Sequence, residues 1–328
     1  MIVITGGAGF IGSNLVAALE ARGRYDLVVC DRLRRDEKWR NLAKRELAAV
    51  IPPTDLFDYL ARHAGKIDGI FHLGAISATT EADADLVIAT NFTLSQKIWA
   101  WCAAQGVPLI YASSAATYGD GSAGFTDVSD SASLGRFRPL NSYGWSKHLF
   151  DRWVVRQVET GEPSPPSWAG VKFFNVYGPN EYHKLGMRSL ASKLYPRAVA
   201  GEPAILFRSH RGDYADGGQL RDFVAVEDCV DILLWLWDQP KVSGVYNAGS
   251  GIARSFADLA TAVYRAVDRI PQFEYVDTPE AIRPNYQYFT QADLQRLRAA
   301  GYAGQPTPLE AGIDRYVRHF LAQSDPYR

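Results

Sequence analysis

The chain has 328 residues, 47% of them hydrophobic and 22% charged, with a formal net charge of −1. That balance describes a globular protein and leaves no electrostatic footprint for nucleic acid or acidic membrane surfaces. No apolar run approaches the ~20 residues that a bilayer-crossing helix needs.

Ile2-Val3-Ile4-Thr5 is a run of β-formers that meets Gly6-Gly7-Ala8-Gly9-Phe10-Ile11-Gly12, and Leu15, Val16 and Leu19 then fall at helical spacing. This is a strand–turn–helix unit. A chain that starts on such a strand, with no charged leader, is expected in the cytoplasm without a signal peptide. Residues 27–31 form a second strand, ending at Asp31. Residues 47–51 are a weak third, stopped by Pro52-Pro53. Thr54 is placed to cap a short helix over 54–64. Residues 68–73 are a strand, and 84–105 one long helix that Gly106 ends. A strand over 107–112, a helix over 142–158 and a strand over 171–174 complete the first half. Cys30, Cys102 and Cys229 are odd in number, far apart and set in apolar runs. They read as buried thiols, not as disulfides or metal ligands.

Strands that are apolar throughout and alternate with helices predict an α/β fold: a Rossmann doubly wound parallel sheet. Residues 1–174 are its dinucleotide-binding domain, with later segments returning to it. Beyond about 175 the pattern breaks into longer loops with Pro179, Pro196, Pro203 and Pro271. Helices over 227–238 and 255–267 and a short strand over 245–247 read there as a smaller mixed α/β lobe. Residues 175–328 are then mainly a substrate-binding lobe that closes over the carboxyl edge of the sheet.

The glycines carry the first chemical signal. Gly6 permits a tight turn, Gly9 lets backbone approach a pyrophosphate, and Gly12 lets the helix sit close on the strand. The helix N-terminus adds N–H donors and a positive dipole end. Asp31 stands where a carboxylate accepts from ribose hydroxyls, which favours NAD. Arg32, Arg34, Arg35, Lys38 and Arg40 follow, and cations beside that ribose favour the 2′-phosphate of NADP. The reading leans to NADP, with NAD possible. No metal ligand set is apparent.

Tyr143 and Lys147 are four apart and share a helix face. A phenol is a poor base at neutral pH, and a neighbouring ammonium lowers its pKa. Ser114, at the end of the fifth strand, can donate to the same substrate oxygen. His72, on a buried strand end, reads as packed.

Together these features resemble the extended short-chain dehydrogenase/reductase family over essentially the whole chain. The resemblance rests on Gly6-x-x-Gly9-x-x-Gly12, His72-Leu73-Gly74-Ala75, Asn91, residues 113–119, Tyr143-x-x-x-Lys147 and Phe174-Asn175-Val176-Tyr177-Gly178-Pro179. The family's dehydratases carry Asp-Glu where this chain has Ala115-Ala116, so the resemblance implies no dehydration. The chain looks close to the family's heptose epimerases, through residues 220–224, 286–294 and 299–302. The implied activity inverts C6 of an ADP-linked heptose through a transient 6-keto sugar. An epimerase or reductase of a UDP-hexose is the alternative, and a non-catalytic nucleotide-binding regulator is disfavoured by the intact Tyr143–Lys147 pair. Lys184 is implied as a second proton-transfer group opposite Tyr143. Phe10, Ile11, Asp31, Arg32, Lys38, Leu73, Gly74, Ala75, Ile76, Ser77, Asn91, Val176 and Lys184 are implied cofactor contacts. Ser114, Asn175, Gly186, Lys193, Phe207, Arg221 and Tyr286 are implied to line the substrate site, with Arg221 on the diphosphate. A homo-oligomer is also implied. Lys193 and Gly186 stand where the family pattern has histidine and serine, and residues 208–219 are longer than that pattern.

Overall fold

In a computed structural model, which describes residues 1–34, 37–280, 283 and 286–328, the first strands are β1 (Ile2–Thr5), β2 (Leu27–Cys30), β3 (Ala49–Ile51), β4 (Gly69–His72), β5 (Leu109–Ser114) and β6 (Trp168–Phe173). The later ones are β7 (Asn175–Tyr177), β8 (Ala204–Phe207), β9 (Leu220–Ala225), β10 (Gly244–Ala248), β11 (Ala253–Ser255) and β12 (Phe273–Val276). Seven of these form one sheet in the order β10-β6-β5-β4-β1-β2-β3, and every pair in it is parallel. β1, β2 and β4 are buried at every residue, as a sheet covered on both faces requires. The strand order reverses beside β1, which puts a crevice at the carboxyl ends of β1 and β4.

The helices of the first half are α1 (Phe10–Ala21), α2 (Leu56–His63), α3 (Ala84–Ile88), α4 (Leu94–Gln105), α5 (Ser131–Leu134) and α6 (Ser142–Glu159). They are followed by α7 (Leu190–Ala200), α8 (Val226–Asp238), α9 (Phe256–Ala266), α10 (Gln295–Ala299) and α11 (Leu309–Tyr316). α8 and β10, read from sequence as parts of the second lobe, belong to the layers of the large sheet. β10 pairs with β6, α8 packs on α1, and the Trp237 ring lies where a Cβ on Gly69 of β4 would stand. A single strand read alone cannot reveal its distant partner.

Local departures from the sequence reading have plain causes. Thr54 caps nothing: Pro53–Asp55 is a 3-10 turn, the helix starts at Leu56, and the Thr54 hydroxyl donates to Asp55 instead. The helix over 84–105 is interrupted by a π turn at Ala89–Thr93 and ends at Gly106 with φ 66°. β5 begins later and runs to Ser114, so Ser113 and Ser114 are strand residues.

The smaller lobe has its own core of Tyr177, Leu194, Leu206, Phe223, Leu259, Val263, Ile313 and Tyr316. Its sheets are β11-β9-β7 and β12-β8. Cys30, Cys102 and Cys229 are buried free thiols. Among the described residues, no helix is long and apolar enough to cross a membrane, and no group of His, Cys, Asp and Glu could hold a metal ion.

Candidate active site

The glycine turn between β1 and α1 is a cradle that side chains would fill. Gly6 has φ 70°, and a Cβ there would stand 2.5 Å from the Gly74 amide nitrogen. A Cβ on Gly12 would stand 2.2 Å from the Gly6 carbonyl oxygen. Gly9 caps α1 with no side-chain hydrogen bond and no acidic residue in the first turn. The Gly9 N–H is spent on the Gly6 carbonyl at 2.9 Å, and the N–H groups of residues 10–12 at the helix start are left to offer to an anion. That geometry fits the pyrophosphate of a dinucleotide.

At the rim Asp31 turns inward. Its Oδ2 accepts from Ala8 N–H at 2.9 Å, and its Oδ1 accepts from Arg32 N–H at 2.7 Å and Lys38 Nζ at 2.6 Å. The Arg32 side chain is exposed beside it. Arg35, in the same basic run, lies outside the described residues.

The opposite wall is the segment 73–77, all but Ser77 partly buried. Asn91, in the π turn, braces it by accepting from Ile76 N–H at 2.8 Å and donating to the Ile76 carbonyl at 2.9 Å. The Asn91 amide also donates to Ser146 Oγ on α6, at 3.0 Å. A π turn re-aims one side chain without ending the helix, and here the one re-aimed ties that loop to α6. His72 below is packed, as expected: it bonds Thr5 and Ser95, and burial pushes it down to about 3.

Tyr143 and Lys147 leave the first turns of α6, which Asn141 caps by accepting from Gly144 N–H. Burial raises the Tyr143 pKa, and a hydrogen bond with the Ser114 hydroxyl opposes that rise. Burial pushes the Lys147 ammonium down to about 8. Tyr143 and Ser114 thus meet at the end of β5, with Lys147 one helical turn further along α6.

Beneath them lies a network that sequence reasoning missed. Asp151 and Lys172 form an ion pair at 2.7 Å with both side chains fully buried. Ser113 Oγ and Tyr111 OH also donate to Asp151, at 2.6 and 3.1 Å, and Lys172 donates to Thr117 Oγ1 at 2.6 Å. The signals were present: Asp151 continues the four-residue spacing of Tyr143 and Lys147, and Lys172 is a charge inside an apolar strand.

Beyond β7 the chain crosses to α1. Asn14 Nδ2 donates to the Pro179 carbonyl at 3.0 Å, and Asn180 Nδ2 to Ser13 Oγ at 3.0 Å. Glu181 is buried and accepts from Ser189 and Tyr316. These bonds carry Lys184 to the glycine turn, where its Nζ lies 5.2 Å from the centroid of the Phe10 ring. Burial lowers its pKa, against the attraction of Glu181.

The implied substrate residues separate into two groups. Arg221, Tyr286 and Phe207 come together. Arg221 is 7% exposed, its guanidinium stands 5.3 Å from the Tyr286 ring centroid, and Tyr286 packs edge-on against Phe207 at 6.2 Å. Arg221 donates to the Leu220 and Gln287 carbonyls, and among the described residues no carboxylate pairs with it. Its neighbour Asp222 is structural, accepting from the amides of Ser250, Gly251 and Ala292. Asn175, Gly186 and Lys193 do not join that group. Asn175 is exposed at the start of β7, Gly186 is exposed with open space around its Cα, and Lys193 is exposed on α7. Val176, next to Asn175, is partly buried.

The sequence profile of the NAD dependent epimerase/dehydratase family matches residues 2–249. The chain is 48% identical over 332 residues, covering all of both chains, to a protein of Nitratidesulfovibrio vulgaris (strain DP4) named ADP-L-glycero-D-manno-heptose-6-epimerase. A crystal structure of the Helicobacter pylori protein of that name aligns with TM-score 0.80 and 30% identity, covering 98% of this chain and 96% of that one. The structure of MoeE5 in complex with UDP-glucuronic acid and NAD aligns with TM-score 0.73 and 25% identity, covering 97% and 99%.

Proposed function

Since the chain belongs to the NAD dependent epimerase/dehydratase family, we propose that it inverts C6 of ADP-D-glycero-D-manno-heptose, giving the L-glycero epimer through a transient 6-keto sugar. Full-length likeness to proteins named for that activity supports the substrate. The observation that supports the chemistry is that two titratable side chains come from different elements: Tyr143 on α6 beside Ser114, and Lys184 after β7, its Nζ 5.2 Å from the Phe10 ring centroid.

A nicotinamide dinucleotide held by Gly6, Gly9, Phe10, Ile11, Gly12 and the 73–77 segment would supply reversible two-electron oxidation of a carbinol. The side chains handle the proton. A carbinol carbon inverted in place presents its hydroxyl in two directions, and one base cannot reach both. One of Tyr143 and Lys184 takes the hydroxyl proton as the ketone forms. After rotation about C5–C6, the other returns a proton to the oxygen. Ser114 steadies that oxygen, and Lys147 keeps positive charge beside the phenol, favouring its ionised form. Arg221, a buried cation with no carboxylate partner among the described residues, suits the diphosphate.

The cofactor read here is NADP. The Asp31 oxygens are taken up by Ala8, Arg32 and Lys38, which supports a ribose phosphate met by cations in place of a ribose hydroxyl met by Asp31. The test is incubation of purified protein with either C6 epimer of the ADP-heptose. Interconversion without net consumption of NADP supports the reading. Stoichiometric NADPH oxidation, or turnover of UDP-hexoses alone, overturns it.

A further inference from the structure

Residues 325–328 lie beyond the stretch that the family profile matches, and the chemistry above makes no use of them. The chain leaves α11 through a π turn at Val317–Leu321, runs exposed over 322–325, and is partly buried again at Pro326, Tyr327 and Arg328. There it bridges two segments that carry functional groups. One is 37–44, which follows Asp31 and includes Lys38. The other is 180–184, which ends on Lys184.

Toward the first segment, the Tyr327 carbonyl accepts from Lys44 Nζ at 2.5 Å, and the Arg40 guanidinium stands 5.9 Å from the Tyr327 ring centroid. Toward the second, the Pro326 carbonyl accepts from Tyr182 OH at 2.9 Å, and the Tyr182 and Tyr327 rings meet edge-on at 5.2 Å. Arg328 N–H donates to Asn180 Oδ1 at 2.9 Å, and the Arg328 guanidinium donates to Asn14 Oδ1 on α1 at 3.2 Å. An ion pair of Lys44 with Asp325, at 2.9 Å, is exposed at both ends and adds little.

These ties converge on Asn180. It is fully buried and has φ 70°, a left-handed conformation that asparagine adopts at a cost and that persists where the surroundings fix it. Its Nδ2 donates to Ser13 Oγ, its Oδ1 accepts from Arg328, and its carbonyl accepts from Asn41 Nδ2 at 3.1 Å. The same Asn41 amide donates to the Ala8 carbonyl of the glycine turn at 2.8 Å. One residue, four places before Lys184, is thus held by α1, by the 37–44 segment and by Arg328.

We propose that Pro326, Tyr327 and Arg328 are positioning residues for Lys184: by gripping Asn180 and Tyr182 they fix the loop that sets the Lys184 amine beside Phe10. This rests on the reading of Lys184 as a proton-transfer group. The grip has a kinetic consequence, because a misplacement of about 1 Å in a reacting group can cost ~10²-fold in rate. It acts through Lys184 alone, so its loss harms only an enzyme that has that amine.

A double-mutant cycle on the full-length, NADP-loaded enzyme tests this. The forms compared are wild type, Tyr182→Phe/Tyr327→Ala, Lys184→Met, and all three substitutions together, each assayed for interconversion of the ADP-heptose epimers. Tyr182→Phe/Tyr327→Ala should lower kcat about tenfold and change KM by no more than about twofold. In the Lys184→Met background the same pair should cost nothing further. Losses that multiply overturn the proposal, because the contacts would then support the fold or the cofactor in general. An unchanged kcat in the Tyr182→Phe/Tyr327→Ala form, or a change in KM alone, overturns it as well. Lys184→Met with wild-type kcat would contradict the proton-transfer reading instead. The placement of Lys184 is then read by its acetylation with acetic anhydride, followed by mass spectrometry. Faster acetylation in Tyr182→Phe/Tyr327→Ala than in wild type upholds the grip, and an equal rate overturns it. Melting curves verify folding, and Arg328→Ala, which removes the bond to Asn14, takes the pair's place in the cycle if the pair does not fold.

Discussion

The Lys184 ammonium rests 5.2 Å from the centroid of the Phe10 ring, so the loop after β7 touches the first residue of α1. A lysine reaching bulk solvent from that loop would do no proton chemistry in the cleft. Here burial lowers its pKa, which raises the share of neutral amine able to accept a proton. Lys184→Met is therefore expected to reduce kcat by ~10²- to 10⁴-fold, the usual contribution of a positioned acid–base group. Steady-state kinetics on the variant, with its fold checked by circular dichroism, measures this. A loss below threefold would remove Lys184 from the mechanism.

Much of this was legible from sequence because it depends on local spacing. Gly6, Gly9 and Gly12, the Tyr143–Lys147 pair and Ser114 lie within short segments whose strand–turn–helix context can be read directly. Asn91 illustrates the limit: its position in the chain was visible, but its role came from a π turn that an uninterrupted helical pattern conceals. The Asp151–Lys172 pair and the Arg328–Asn180 bond join residues that are distant in sequence. The strand read over 245–247 was placed in the smaller lobe because three residues of strand do not name their neighbour; as β10 it is one of the later segments that return to the large sheet.

The buried Asp151–Lys172 pair should behave asymmetrically. Lys172→Met leaves Asp151 buried beside Ser113 and Tyr111 without its cation, and removing one partner of such a pair costs ~3–5 kcal/mol. Changing both, as Asp151→Leu with Lys172→Met, should restore a good part of that stability. Urea denaturation of both variants distinguishes the cases. A Lys172→Met protein as stable as wild type would show that the pair is not coupled.

Gly12→Ala places a methyl group 2.2 Å from the Gly6 carbonyl oxygen in the present backbone, and backbone can yield only by opening the turn. Overpacking of this kind costs ~1–3 kcal/mol, and the cradle for the pyrophosphate changes shape with it. The variant should melt several degrees lower and retain little cofactor after purification. Wild-type cofactor content would contradict the role given to the turn.

Acid should destabilise the fold through His72. Its pKa is about 3 when folded, against 6.5 when unfolded. Above 6.5 neither state binds the proton and the stability is fully present. As pH falls from 6.5 toward 3, the unfolded chain gains a proton that the folded one refuses, and stability is lost. The full span is worth about 5 kcal/mol. His148, pushed down to about 4 by burial, acts in the same sense. Asp127 acts oppositely: burial raises it to about 6 from 3.8, so its contribution fades as pH rises through that interval. His72→Gln should flatten the fall in unfolding free energy between pH 6.5 and 4. An unchanged slope would acquit His72.

Arg221→Lys should raise KM for the ADP-sugar ~10- to 100-fold with a smaller change in kcat. An ammonium cannot reproduce the planar fork, and one charge-assisted hydrogen bond contributes ~1.5–3 kcal/mol. Equal losses in both constants would place Arg221 nearer the reacting carbon than the diphosphate.

The most direct measurement follows a deuterium at C6. ADP-heptose labelled there is incubated with wild type, Tyr143→Phe and Lys184→Met, and the C6 epimers are read by NMR. Wild type should interconvert them with the label retained on C6 and none gained from solvent, while each variant interconverts them at least 100-fold more slowly. Washing-out of the label would contradict oxidation and return at one carbon, and full activity in Lys184→Met would contradict two opposed proton-transfer groups.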